Sequence, residues 1–339
     1  MSNILANLPV FQAGFRLVNG SSLNALVAAI QSGMWVGNVY YLAPGASNAS
    51  DQNTGLSPNV PLATLPGALA KCTAGNNDVV VLIGDGATTG TARLSATLDW
   101  NKNATHLIGI TAPTTDAQRA RIAPLTTATA NINPLFKVSA NGCIFANFSF
   151  FQGIGEASTD EQLALVTGDR NYFWNVDFGG MGHTNGAARA GSYIIGLDGG
   201  DENLFERCKI GLETVARSAA NASVKLVSAS QRNKFIDCDF EMYPTANSPL
   251  FLNANLSNGL NGSTMLFQGC SFRALLAASG GTQPSVTATW HASLNGNVCF
   301  DRCTTMAAKW AAASALVKVS GFALGNGFSS GVFANAADS

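Results

Sequence analysis

Phe235-Ile236-Asp237-Cys238-Asp239-Phe240 is followed, 32 residues later, by Phe267-Gln268-Gly269-Cys270-Ser271-Phe272. The same frame begins at Phe145, Phe173, Phe205 and Phe300, with steps of 28, 32, 30, 32 and 33 residues from the first Phe to the last. Three positions after each Phe stands an apolar residue or Cys: Phe148, Val176, Cys208, Cys238, Cys270 and Cys303. Five positions after it come Phe150, Phe178, Ile210, Phe240, Phe272 and Thr305, of which only Thr305 departs from the pattern. The residue between these two is polar every time (Ser149, Asp177, Lys209, Asp239, Ser271, Thr304). That is the period of two of a half-buried strand, and it excludes helical repeats.

A second apolar run precedes each Phe: Leu135–Val138, Leu163–Val166, Tyr193–Leu197, Val224–Val227, Leu250–Leu252 and Val286–Trp290. Each unit therefore carries at least two strands. A unit of about 30 residues cannot bury its apolar face alone, so neighbours must stack. The Leu and Asn signature of a leucine-rich repeat is missing, and a propeller blade needs about 40 residues. The expected fold is all-β: a parallel β-helix in which equivalent residues stack about 4.8 Å apart. The Phe column becomes an internal ladder, with Cys208, Cys238, Cys270 and Cys303 as a second ladder beside it. Asn171, Asn203 and Asn233, each two residues before a Phe, form a third, because Asn accepts a left-handed bend and relays hydrogen bonds between coils.

Composition narrows the function. Charged residues make up 12% of the 339, and 19 basic against 20 acidic side chains leave a net charge of −1. Nucleic acid and anionic membranes reward dense Lys and Arg, so neither is an expected partner. The uncharged stretch between Arg16 and Asp51 is interrupted throughout by Asn, Gln, Ser and Gly, short of the roughly 18 apolar residues that spanning requires. Met1-Ser2-Asn3 offers no basic n-region, so no signal peptide is expected and synthesis in a cytoplasm is. The seven cysteines sit mostly on ladder positions and read as buried free thiols. No zinc-type spacing accompanies them, and no cofactor or metal is expected.

Residues 1–37 precede the repeat and contain Leu23, Leu26, Val27 and Ile30, the stripe of a short amphipathic helix. It either caps the open end of the stack or docks on another protein. Then come Tyr40-Tyr41-Leu42-Ala43-Pro44-Gly45, an Asn/Asp/Ser-rich loop, and Pro61-Leu62-Ala63-Thr64, where Thr64 can cap a helix bearing Leu65, Leu69 and Cys72. Asn76-Asn77-Asp78 turns the chain into the strand Val79–Ile83, which ends in Gly84-Asp85-Gly86. This opening resembles that of right-handed, pectate-lyase-like β-helices found among structural proteins of tailed bacteriophages, although Leu42-Ala43-Pro44 stands where the common form has an Asp. The resemblance spans residues 38–325 and specifies fold better than activity. It implies a virion protein assembled in a host bacterial cytoplasm: a head decoration, fibre or tail component, homotrimeric and in contact with other capsid or tail subunits. Within it, Leu107 takes the Phe place in Thr105–Ile110, residues 113–133 form a longer excursion, and Ala315–Val319 is the last strand. The tail, residues 326–339, carries Phe328 and Phe333; with Phe322 just before it, these are expected to pack on a neighbouring subunit.

Chemistry is sparse. Asp177, Lys209 and Asp239 fall on successive coils, as do Asn175, Arg207 and Asp237, so opposite charges should pair down both columns. Asp237 with Asp239, and Asp177 nearby, are the candidate catalytic carboxylates of the rival reading, a tailspike-like protein that binds or degrades host surface glycan. Trp174 beside Asp177 would be its sugar platform. Arg207 and Lys209 neutralise those acids, His183 and His291 stand alone, and the loop Asn48–Asn53 lacks the ordered spacing of a calcium loop. The expectation is therefore a non-enzymatic protein.

Overall fold

The structure is a computed structural model that describes residues 37–112, 114, 120–126, 132–155, 160–275 and 281–310, together with the strand at 317–320. The stripe Leu23–Ile30 and the tail residues Phe322, Phe328 and Phe333 lie outside the described residues. The fold is a parallel β-helix. Its described strands form three sheets of ten, eight and seven strands, and each strand pairs with its counterpart one coil away. Every pairing is parallel, and Phe145, Phe173, Phe205, Phe235, Phe267 and Phe300 are in register in the first sheet. Val80 and Leu107 take the Phe place in the preceding coils, and Val319 takes it in the last.

The rings stack at centroid distances of 4.8, 4.5, 4.5, 4.8 and 5.1 Å along the column, tilted by no more than 18°. The spacing is that of neighbouring strands, so backbone pairing and ring stacking reinforce each other. Phe150, Phe178, Ile210, Phe240 and Phe272 face them from the second sheet, and the third sheet adds Phe136 and Phe251. Thr305 continues this inward column despite its hydroxyl, which hydrogen-bonds the hydroxyl of Thr287 at 2.7 Å.

The chain turns from the first sheet to the second through a single left-handed residue per coil. Asn147, Asn175, Arg207, Asp237, Gly269 and Arg302 all have φ between 49° and 65°. A second left-handed column, Asn77, Ala104, Gly142, Arg170, Glu202 and Arg232, leads into the first sheet. Just after it, the Oδ1 atoms of Asn171, Asn203 and Asn233 accept the backbone N–H of Cys143, Asn171 and Asn203, each at 2.9 Å. Their Nδ2 atoms donate to the carbonyls of Ala140, Gly168 and Gly200. Just before it runs a polar ladder that the sequence reading missed: Asn103, Asn141, Asp169 and Asp201 each accept the backbone N–H of the equivalent residue one coil on, at 2.7–2.9 Å. These bends bury backbone groups that the sheets cannot pair, and the ladders satisfy them.

The end of the stack nearest residue 37 is closed. Thr64 Oγ1 accepts the N–H of Gly67 and starts the helix Leu65–Lys71, whose Leu65, Ala68 and Leu69 are buried in the core. Residues 55 and 62 cover the edge of the first strand: Tyr41 N–H donates to Gly55 O and Leu62 N–H to Tyr41 O. Asp51 holds this loop by accepting the N–H groups of Ala63 and Thr64. The expected excursion at 113–133 is broken by a strand, Arg121–Pro124, which pairs in the second sheet with Ala92–Leu94 and Ser149–Phe151. Its alternation was too short to stand out among Ala and Thr.

Candidate functional site

The seven cysteines are free, and only Cys299 is not buried. Cys208, Cys238, Cys270 and Cys303 donate their thiols to the carbonyls of Phe173, Phe205, Phe235 and Phe267 at 3.4–3.5 Å. Burial pushes the Cys238 and Cys270 thiols well up, away from the reactive thiolate. No group of three or more His, Cys, Asp or Glu among the described residues is placed to hold a metal. Asn48 and Asn53 instead stitch their own loop, donating to the carbonyls of Asn59 and of Asn48 and Pro61.

The candidate carboxylates are all engaged or held apart. Asp177 pairs in register with Ser149 and Lys209, and Ser149 Oγ donates to its Oδ2 at 3.2 Å. Asp239 is clamped by Arg273, whose Nε donates at 2.9 Å and whose second nitrogen also contacts it, and by the Ser271 hydroxyl. Asp237 sits on the left-handed turn, over Gly269 of the next coil, where a Cβ would collide with its carboxylate. Of the two expected charge columns, Asp177, Lys209 and Asp239 lie in register and gain further partners, while the other departs from the expectation. Lys209 Nζ pairs with Glu241 Oε2 at 2.9 Å, and Arg273 bridges Glu241 and Asp239. Arg207 and Asp237, both exposed on left-handed turns, form no ion pair among the described residues; Asn175 instead donates to Asn147 Oδ1 at 2.8 Å.

Glu241 and Arg273 went unmarked in the sequence, yet their spacing of 32 residues equals that of Asp239 and Ser271, and would have placed them together. Gly211, opposite Glu241, has φ 121°, and a Cβ there would strike the Glu241 carbonyl. Trp174 is no sugar platform. It is 2% exposed, within an apolar cluster on the outer face of the first sheet.

Three further polar features escaped the sequence. Arg217 is wholly buried and held by neutral acceptors, the Oδ1 and carbonyl of Asn221, Ser223 Oγ and Leu250 O, and burial lowers its pKa to about 9. Glu161 is buried beneath the loop carrying His183; Oε1 accepts Gly182 N–H at 3.1 Å, and Oε2 has no hydrogen-bond partner among the described residues. Burial raises its pKa to about 8, against the pull of the Gly182, Met181 and His183 backbone. His183 caps the short helix Thr184–Ala187, its Nδ1 accepting Asn185 N–H. On the surface, Glu202 lies between Arg170 and Arg232 at 2.7 and 2.8 Å, which hold its carboxyl below the usual range, Arg232 most strongly. Beside it a cavity of about 690 Å³ is lined by Glu202, Leu204, Arg232, Lys234, Leu266 and Cys299.

Neither protein-family models nor curated proteins match the chain. Solved structures do. The pectate lyase Pel9A superposes with a TM-score of 0.55 at 16% identity, over 85% of this chain and 69% of that one. ORF18 of Geobacillus virus E2 matches with a TM-score of 0.48 at 13% identity, over 95% of this chain and 61% of that one. The pectin methylesterase of Aspergillus niger matches with 0.48 at 13%, over 84% and 81%. The Pel9A likeness shows the fold, and at this identity the fold alone. No helix among the described residues is long and apolar enough to cross a membrane.

Proposed function

We propose that the chain is a non-enzymatic structural component of a bacteriophage virion, a homotrimeric β-helical head decoration, fibre or tail protein that contacts other capsid or tail subunits. The observation that carries the non-enzymatic part is the state of the acids. Asp177 and Glu241 are 4% and 5% exposed, Asp239 is locked to Arg273, and Asp237 is held on a turn. Glycoside cleavage needs two carboxyls facing one substrate across a gap of about 5–9.5 Å. Here Asp239 and Glu241 are paired with Arg273 and Lys209, and Asp177 is buried against Ser149, which leaves Asp237 as the one exposed member of the set without an ion pair among the described residues. The virion assignment rests on the resemblance of the opening segment, residues 38–86, and on the sparse charge. Native mass measurement tests the assembly: a particle of three chains is expected, and a stable monomer at micromolar concentration counts against it.

One observation favours a second reading, a receptor-binding role toward an acidic glycan. The cavity beside Glu202 is lined by Arg232 and Lys234 together with Leu204 and Leu266, so two cations, one of them paired with Glu202, stand beside apolar side chains. Glycan-array binding that disappears in Arg232→Ala with Lys234→Ala would favour it; under the first reading no glycan is retained.

A further inference from the structure

The outer face of the first sheet changes character along the stack. From Val39–Leu42 through Tyr172–Trp174 its outward side chains are Val39, Tyr41, Val79, Val81, Ile83, His106, Ile108, Ile110, Ile144, Ala146, Tyr172 and Trp174. Beyond that, each strand pairs one apolar or Cys position with a polar one: Leu204 with Glu206, Ile236 with Lys234, Leu266 with Gln268 and Cys299 with Asp301. An outer face ought to meet water, yet Val79 and Ile108 are 1% exposed and Ala146 not at all. The one titratable group in this apolar stretch besides the tyrosines agrees. His106 lies buried in the sheet with Nδ1 accepting Ile144 N–H at 3.0 Å, and burial lowers its pKa to about 4. Ile110, at the end of its strand, is 37% exposed, but the middle of the face is dry and covered from outside.

We propose that residues 1–36 supply the cover, with the stripe Leu23, Leu26, Val27 and Ile30 packed across the first five strands of this sheet. Three observations point to this segment. It hands the chain directly to Val39, the first strand beneath the apolar face. Five strands span about 19 Å at the usual spacing, and a helix over residues 22–32 is about 16 Å long. The alternative place for the stripe, the open end of the stack, is already taken by Leu65–Lys71 and the loop that covers Tyr41. Residues 113–119 are too polar for the task, with one Pro and one Ala among Thr, Asp, Gln and Arg. The C-terminal segment enters from Val317–Ser320, which lies five strands past Tyr172–Trp174, about 24 Å away.

Hydroxyl-radical footprinting read by mass spectrometry tests the assignment, with core Trp100 as the internal measure of folding. In the full chain Trp174 and Ile108 should be as protected as Trp100. Deleting residues 1–36, or introducing Leu26→Asp with Ile30→Asp in the full chain, should raise modification of Trp174 several-fold while Trp100 stays protected. If deletion unfolds the protein and exposes Trp100, the double variant decides. Trp174 remaining protected in the folded variants would overturn the proposal and assign the cover elsewhere in the chain. Protection that is lost when the unaltered protein is diluted would overturn it in favour of a second copy.

Discussion

Lys209 Nζ and Glu241 Oε2 stand 2.9 Å apart on the outer face of the second sheet, and both side chains are withdrawn from water. The pair ties one coil to the next, and Arg273 extends it to a third. A buried pair adds little over apolar neighbours, but removing one partner costs up to about 3–5 kcal/mol. Glu241→Ala should therefore lose part of that amount in urea denaturation, because Asp177 and Asp239 still flank Lys209 in register. A Glu241→Ala protein as stable as the parent would show that the pair is solvated.

The Phe ladder is the larger contribution. Phe205 lies 4.5 Å from both Phe173 and Phe235, and is fully buried. Phe205→Ala should cost about 3–5 kcal/mol, and Phe205→Leu clearly less, since it keeps most of the volume. Phe235→Asp should yield no soluble protein, because it places an unpaired charge in the dry stack. A folded, soluble Phe235→Asp protein would contradict the register described above.

The Asn ladder makes a different kind of prediction. Asn203 accepts from Asn171 N–H and donates to Gly168 O, so Asn203→Ala leaves a buried donor and a buried acceptor unsatisfied, each worth about 1–3 kcal/mol. Asn203→Asp keeps the acceptor and loses the donor, and should fall between Ala and the parent above the carboxyl pKa. Equal destabilisation by Ala and Asp would assign the role to volume alone.

Glu161 gives the stack a pH dependence of definite sign. Its pKa is raised to about 8 by burial, so between the usual carboxylate value and about 8 the unfolded chain has released a proton that the folded chain still holds. Stability from this group is full below that window, falls as pH rises through it, and levels off above about 8. The difference in unfolding free energy between Glu161→Gln and the parent should therefore grow in favour of Gln between about pH 5 and about pH 8, by an amount of order kcal/mol. A constant difference would mean that Glu161 ionises normally.

Thiol reactivity reads the Cys ladder directly. Cys299 borders the surface cavity, whereas the other six are buried. In native buffer an aromatic disulfide reagent should titrate one thiol quickly, absent from Cys299→Ser, and release the rest only with denaturant. Fast reaction of Cys238 or Cys270 would mean that the coils open.

What was legible in the sequence was whatever repeats at coil spacing. Phe235 to Phe267 and Asn203 to Asn233 carry period and register together, and placing Leu107 in the Phe column follows from the same frame. Strands of three residues without an aromatic, such as Ala92–Leu94, offered no period to detect. The left-handed turns were illegible for a different reason. Any of Asn, Arg, Asp or Gly occupies them, so Arg207 and Asp237 read as a charge pair although they stand on left-handed turns and form no ion pair among the described residues. Glu161 and Arg217 lie where non-repeating loops meet the coils, and no periodicity marks such places.

The central claim, that this β-helix is a built-in part of a virion, is tested most directly by purifying intact virus particles from cells that produce the chain and labelling them with antibody against its described coils. The account predicts label at one repeated location on every particle, retained after high-salt washing. Unlabelled particles, with the protein recovered only free in the lysate, would contradict it.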